Sequence, residues 1–263
     1  MGECDFCAIL LSMRWVLPLL ILASPIAAAE ENAYLIAFTE GRYDEAAQLL
    51  DQSSSPDNLA FAARSLLADA MSAADYVPPE AHLDRAEMYA RDALQADPNH
   101  IEARLQLAIA LSLKARPLST REAMRTGYGE QAKALVESVL EDDPDNAYAH
   151  GFLSVWHIEV RRRGGAIGAS VMGASVKKGR AHYQTAIAQS PGDASIHWQY
   201  ARALTALNAK KFRDEIEAAL DAALTCGAET TLEHVMQDRA RVLQTTLHSQ
   251  KRSVSERVAS EML

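Results

Sequence analysis

Apolar residues return along this chain at intervals of three and four, the spacing that gathers them on one side of a helix. The stretch from Leu232 to Leu247 is the clearest instance: Leu232, Val235, Met236, Ala240, Leu243 and Leu247 share one face, and Glu233, Gln237, Arg241 and Gln244 lie opposite. The same pattern predicts helices over 31–39, 43–52, 57–75, 80–96, 99–114, 128–141, 146–162, 178–189, 194–207, 209–225 and 229–250. The last reads as a solvating cap, and 251–263, polar and charged, as a frayed tail. Aromatic residues make up only 6% of a composition that is 49% apolar, so Ala, Leu, Val and Ile carry the apolar surface, which points to closely packed helices.

Three prolines punctuate the pattern. Asp97-Pro98-Asn99, Asp143-Pro144-Asp145 and Ser190-Pro191-Gly192 are 46 and 47 residues apart, and each closes one helix and opens another. Positions at fixed offsets from them agree. Twelve residues before stand Ala86, Ala132 and Gly179; five before, Ala93, Val139 and Ala186; four before, Leu94, Leu140 and Ile187. Nine residues after stand Leu107, Leu153 and Tyr200, followed by the small residues Ala108, Ser154 and Ala201. A large residue beside a small one, repeated in register, is the signature of helix pairs packed at a fixed distance.

These offsets resemble the tetratricopeptide (TPR) repeat, and Glu40-Gly41-Arg42-Tyr43-Asp44-Glu45-Ala46 looks like the opening of its second helix. The resemblance covers roughly 32–226 and implies an all-α fold: a short right-handed solenoid of antiparallel helix pairs with a C-terminal capping helix. The family repeat is 34 residues long, so the spacing here leaves 12 and 13 extra residues, placed as long intra-repeat loops around 114–127 and 163–176. Loops of this kind are similar to those of the regulator-of-microtubule-dynamics family and of periplasmic TPR proteins associated with solute transporters. The segment from Ala147 to Leu207 looks most like the former.

The resemblance also implies where binding occurs. In the family the first helix of each pair lines the concave side, and its groove positions fall four, seven and eleven residues after each proline. Here they are Glu102, Leu105 and Ile109; Tyr148, Gly151 and Val155; Ser195, Trp198 and Arg202. The face is mostly apolar, which suits an apolar peptide, an amphipathic helix or a lipid-like ligand. The Lys and Asn clamp by which some members hold a terminal carboxylate is absent from these positions. The uncharged stretch 164–175 is either a lid or a filler of the groove through Ile167, Val171 and Met172. Lys177, Lys178 and Arg180 open a helix, where cations oppose the helix dipole, and so suggest a patch for an anionic partner or lipid head group.

A net charge of −9 argues against a nucleic-acid partner. His150 and His157 share a helical face and His197 repeats the position of His150, yet no H-x-x-x-H or H-E-x-x-H frame surrounds them, and six residues after the proline is a packing position held elsewhere by Arg104. Asp143 of the acidic run 141–143 reads as a helix cap. No cofactor, no metal and no enzymatic activity are expected. Arg14, the apolar run from Trp15 to Ala23 and the small residues Ala27-Ala28-Ala29 read as a cleaved signal peptide over 1–29, with 1–12 upstream of a second start at Met13. The expected protein is thus exported to the periplasm or beyond and holds a protein segment in its groove. The alternative is an accessory protein that holds a small apolar or lipidic ligand beside a membrane transporter, and peripheral membrane contact is compatible with either.

Overall fold

The computed structural model describes residues 33–263; the expected signal peptide lies outside them. Among the described residues every regular element is a helix: α1 (33–39), α2 (Tyr43–Gln48), α3 (Pro56–Ser72), α4 (Glu80–Ala96), α5 (Ile101–Ala115), α6 (Thr120–Thr126), α7 (Tyr128–Asp142), α8 (Ala147–Val171), α9 (Val176–Gln189), α10 (Ala194–Asn208), α11 (Arg213–Thr225), α12 (Thr231–Ser249) and α13 (Arg252–Glu261). None is long and apolar enough to cross a membrane. Antiparallel pairs α3/α4, α5/α7, α8/α9 and α10/α11 stack as a TPR-like solenoid.

Pro98, Pro144 and Pro191 mark successive corners, in the turns between α4 and α5, α7 and α8, and α9 and α10. The helices that follow start a few residues later, capped by side chains of His100, Asn146 and Asp193, each accepting from backbone amides of the first turn. Asn146, not Asp143, is therefore the cap after Pro144; Asp143 accepts from the Asn146 side chain at 3.0 Å. The small positions do what their size suggests. Ala86, Ala132, Gly179, Ala108, Ser154 and Ala201 are all buried where helix meets helix. Gly179 is the tightest, since a Cβ there would stand 2.8 Å from the backbone oxygen of Ser154.

The two insertions are largely helical. The first forms α6, closed by a capping box of Ser119 and Glu122 and by Gly127 at φ 67°. The second extends α8 past a break at Gly165, at φ 63° and ψ −158°, before a turn leads into α9.

Two departures shape the interior. First, α3 packs along α5 and α8 along α10 more closely than α5 along α8, and the interior has two main apolar cores, the first of which reaches α8 through Ala149 and Leu153. Second, the superhelix closes. Thr231 of α12 donates to the Thr39 carbonyl at 3.2 Å, and Gly41, at φ 81°, leaves room for its methyl. Arg239 donates to the carbonyls of Met71 and Ala73 at the end of α3 and lies 5.0 Å from the ring centroid of Tyr76, which itself holds a left-handed backbone at φ 61°. A non-glycine residue in that conformation costs about 1–2 kcal/mol, and the guanidinium stacked on its ring helps offset it.

Residues 251–263, expected to fray, form α13 instead. Ser255 and Ala259 are buried against α10 and α12, while Ser253, Arg257 and Glu261 face solvent. Met262 joins the second core and Leu263 the first, so the segment's end sits between the two halves. Gln237, expected on the outer face of α12, is buried and donates to the carbonyls of Ala223 and Cys226.

Replacing Gly179 by Ala is expected to push α9 off α8 and lower unfolding stability by about 1–3 kcal/mol, measured by urea titration. An unchanged midpoint would show that the close approach at Ser154 is not a constraint.

Candidate functional site

The expected groove positions fall into three tiers. Glu102, Tyr148 and Ser195 form the outer one. Glu102 accepts from Gln106 at 2.8 Å and lies 3.8 Å from the Arg64 guanidinium of α3. Ser195 donates to the Asp193 carboxylate at 2.6 Å and so belongs to the cap of α10. Tyr148 is 53% exposed, and Asp193, Arg64 and Glu102 surround its phenol; desolvation first, then the Asp193 charge, hold its pKa above the ordinary value. Four inner helices, α3, α5, α8 and α10, thus converge on one tyrosine at an open mouth.

Deeper in, the face is occupied. Leu105 is buried, Gly151 lies against Ile196, and Ile109 and Val155 pack at the edges of the two cores. Trp198 is 0% exposed because the end of the chain covers it, and its indole N–H donates to the main-chain oxygen of Leu263 at 3.1 Å. Arg202 is buried too, donating to the Ala259 carbonyl at 3.4 Å and pairing with Glu159 at 3.3 Å. Two arginines absent from the expected set complete the arrangement. Arg116 donates to the carbonyls of Ser260 and Met262 at 3.1 and 2.6 Å, and Arg239 to the oxygen of Leu263 at 2.9 Å. Nothing in the repeat offsets marks either, because Arg116 lies just past α5 and Arg239 in the middle of α12, and both bind backbone rather than a carboxylate in sequence register.

The charge balance here is uneven. Arg116, Arg162, Arg163 and Arg202 all act on one another or on Glu159. Burial alone would raise the Glu159 pKa, but Arg202, Arg162 and Arg116 outweigh it and hold the carboxylate ionised. For Arg116, burial and the neighbouring Arg202 push the guanidinium well below its ordinary value. A desolvated cation bonded to neutral carbonyls is satisfied geometrically but not electrostatically.

The second insertion does not enter the concave face. Ile167 and Val171 are 81% and 77% exposed, while Ala169, Ala174 and Met172 fold back onto Trp156. It is the C-terminal segment that fills the space. Of the basic residues flanking this insertion, Arg163 donates to the carbonyls of Ala115 and Leu118 and closes the end of α5. Arg180 is held by Glu215 through two bonds of 2.8 Å, and the ammonium of Lys178 donates to the Gly173 carbonyl at 2.9 Å, which leaves exposed Lys177 as the remaining cation of the expected patch.

No protein-family model and no curated protein matches the chain. A solved structure of similar fold is that of a thermophilic TPR protein of Thermus thermophilus: 19% identity over 82% of this chain and 96% of that one, with a TM-score of 0.54. At that identity the likeness concerns the fold alone, and it agrees with the stacked pairs described above.

His150, His157 and His197 serve in packing and in turns. In each repeat the residue six after the proline reaches back to a carbonyl in its own turn: Arg104 to Asn99 at 2.5 Å, His150 to Pro144 at 2.9 Å and His197 to Pro191 at 3.1 Å. A carbonyl only accepts, so Nε2 of His150 carries a hydrogen. Nδ1 of His150 faces Nδ1 of His182 at 2.8 Å, where only one of the two can donate. His157 stacks on His182 with ring centroids 5.5 Å apart, and its Nδ1 is buried without a hydrogen-bond partner. Among the described residues no three metal-ligating side chains stand close enough together to hold an ion.

His157 and His182 give the fold a pH dependence. Burial first, then His182, Lys178 and Lys133, lower the His157 pKa to about 4 against the opposing pull of Glu137; burial and His150 lower that of His182. The folded state therefore refuses a proton that the unfolded chain accepts near the ordinary value of about 6.5. Stability is complete above that value and declines as pH falls toward 4, by on the order of 1–3 kcal/mol. Urea titrations at pH 7.5 and 4.5 are expected to show this loss, and His157→Gln to shrink it; equal losses in the two proteins would contradict the assignment.

Proposed function

On the premise of a TPR-like fold, we propose that this protein is a non-catalytic scaffold of the cell envelope that holds a segment of another protein against its concave side. The observation that carries the reading is that this side already receives a helical segment. The main-chain oxygens of α13 and its end are taken up by Arg116, Trp198, Arg202 and Arg239, and its two last apolar side chains enter the two cores. A face that recognises backbone oxygens, apolar ends and a helix of small residues suits polypeptide better than a lipid tail, which offers no acceptors along its length. The open mouth at Tyr148, ringed by Arg64, Glu102 and Asp193, supplies the mixed polar rim of a protein interface. Export rests on the basic, apolar and small-residue order of positions 14–29.

Two measurements test this. A photo-crosslinking residue in place of Tyr148 is expected to capture one protein species in cells, while the same residue in place of exposed Met124, on α6, captures none in particular. Indiscriminate capture from both positions, or a co-purifying small molecule in native mass spectrometry with no protein adduct, would overturn the scaffold reading. The chain recovered from the producing cell is expected to begin at Glu30; an uncleaved terminus would overturn export by a cleaved signal.

A further inference from the structure

α13 is a poor candidate for a permanent part of the core. It has ten residues, below the length at which a helix is stable by itself, and within it only Ser255 and Ala259 are fully buried, removing little apolar area from water; Met262 and Leu263, just past its last turn, supply the buried apolar anchors of the segment. Val254 and Val258 remain partly exposed. A two-residue extended connection, Gln250 and Lys251, joins it to α12. What it covers is of a different kind: Trp198, fully buried beneath Leu263, with Arg202, Arg116 and Arg239 around the same segment. Tryptophan and arginine dominate the energetically decisive centres of protein interfaces. A short segment whose apolar hold rests on Met262 and Leu263 thus lies over a surface composed for strong binding.

The charges add a direction. Arg116, Arg162, Arg163 and Arg202 share the carboxylate of Glu159, and the segment offers Arg116 only the neutral carbonyls of Ser260 and Met262. Its own acids are turned elsewhere: Glu256 accepts from Arg252 and from the Ala209 amide, and Glu261 faces solvent. A helix that placed a carboxylate where Ser260 stands would keep the apolar contacts and gain a charge-assisted bond to a desolvated guanidinium.

We propose that residues 252–263 are a displaceable internal occupant of the concave side, and that the partner displacing them is an amphipathic helix with an apolar pair at the Met262 and Leu263 positions and a carboxylate facing Arg116. This deepens the scaffold reading and rests on it. Tethered by so short a connection, the internal segment competes at an effective concentration in the millimolar range, so it masks the surface from weak binders and yields to one that adds charge complementarity.

The test uses the whole chain and, as probe, a fluorescent synthetic peptide of residues 250–263. Native-state hydrogen exchange of the unaltered protein is expected to show the α13 amides exchanging at least tenfold faster than those of α10; exchange of both at one rate would overturn the proposal. Met262→Asp is expected to expel the segment, so that this variant binds the peptide at least tenfold more tightly than the unaltered chain. Equal affinity, or loss of protected amides throughout α8 to α11, would overturn it, the latter by showing that the segment belongs to the core. A peptide carrying Ser260→Glu is expected to bind the Met262→Asp chain more tightly still, with that advantage abolished by a further Arg116→Gln; weaker binding of this peptide would overturn the charge assignment. If the peptide fails while crosslinking from position 148 still captures one protein, the displaceable occupant is wrong and the scaffold reading stands; if both fail, so does that reading.

Discussion

Helix ends carry carbonyls with no partner in their own helix, and in this protein arginines from distant parts of the chain supply the missing donors. Arg163 of α8 takes the carbonyls at the end of α5, Arg239 of α12 those at the end of α3, and Arg213 the Leu247 carbonyl near the end of α12. Arg116, just past α5, takes those at the end of α13. Arg104 does the same within a repeat, bonding the Asn99 carbonyl and the Ser138 carbonyl while pairing with Asp142. Each guanidinium exchanges water for fixed acceptors and a favourable helix dipole. The geometry of the interior depends on these bonds, because they join elements that apolar packing alone does not bring together.

Stacked helix pairs need no closure to be stable, since each rests on its neighbours. This chain closes nevertheless, through Arg239 and Thr231 of α12 meeting α1 to α3, and the end of the α13 segment lies between its two main cores. A concave side that would be a continuous open groove becomes a mouth at Tyr148 leading to a filled interior. The filling is chemically informative. It shows which groups the interior recognises, namely backbone oxygens and two apolar side chains, and leaves Arg116 bonded only to the neutral carbonyls of Ser260 and Met262.

Most of the architecture was legible in the sequence because its causes are local. The three repeat prolines each fall in the turn between two helices, and the small residues at fixed distances from them, with Leu107, Leu153 and Tyr200, are buried in every repeat, while Leu94, Leu140 and Ile187 are partly buried. The insertions were legible in position but not in form, since the uncharged stretch after Gly164 gave no sign that it would fold outward onto Trp156. Of the expected groove positions, Glu102, Tyr148 and Ser195 sit together at the open mouth. The filling of the inner tier was not legible. α13 buries serine and alanine and shows solvent its charges, so hydropathy reads it as tail; only the spacing of Ser255, Ala259, Met262 and Leu263 along one side hints at a docked face. Arg116 and Arg239 left no signal, because their partners are carbonyls, which every residue carries.

The closed interior depends on the seating of the segment's end over Trp198. Proton NMR of the whole chain addresses this directly through the indole N–H of that residue. A slowly exchanging resonance with nuclear Overhauser contacts to the methyl groups of Leu263 is the outcome expected from the 3.1 Å bond. An indole proton that exchanges freely with water and shows no contact with Met262 or Leu263 would mean that the interior is open and that the arrangement described above is wrong.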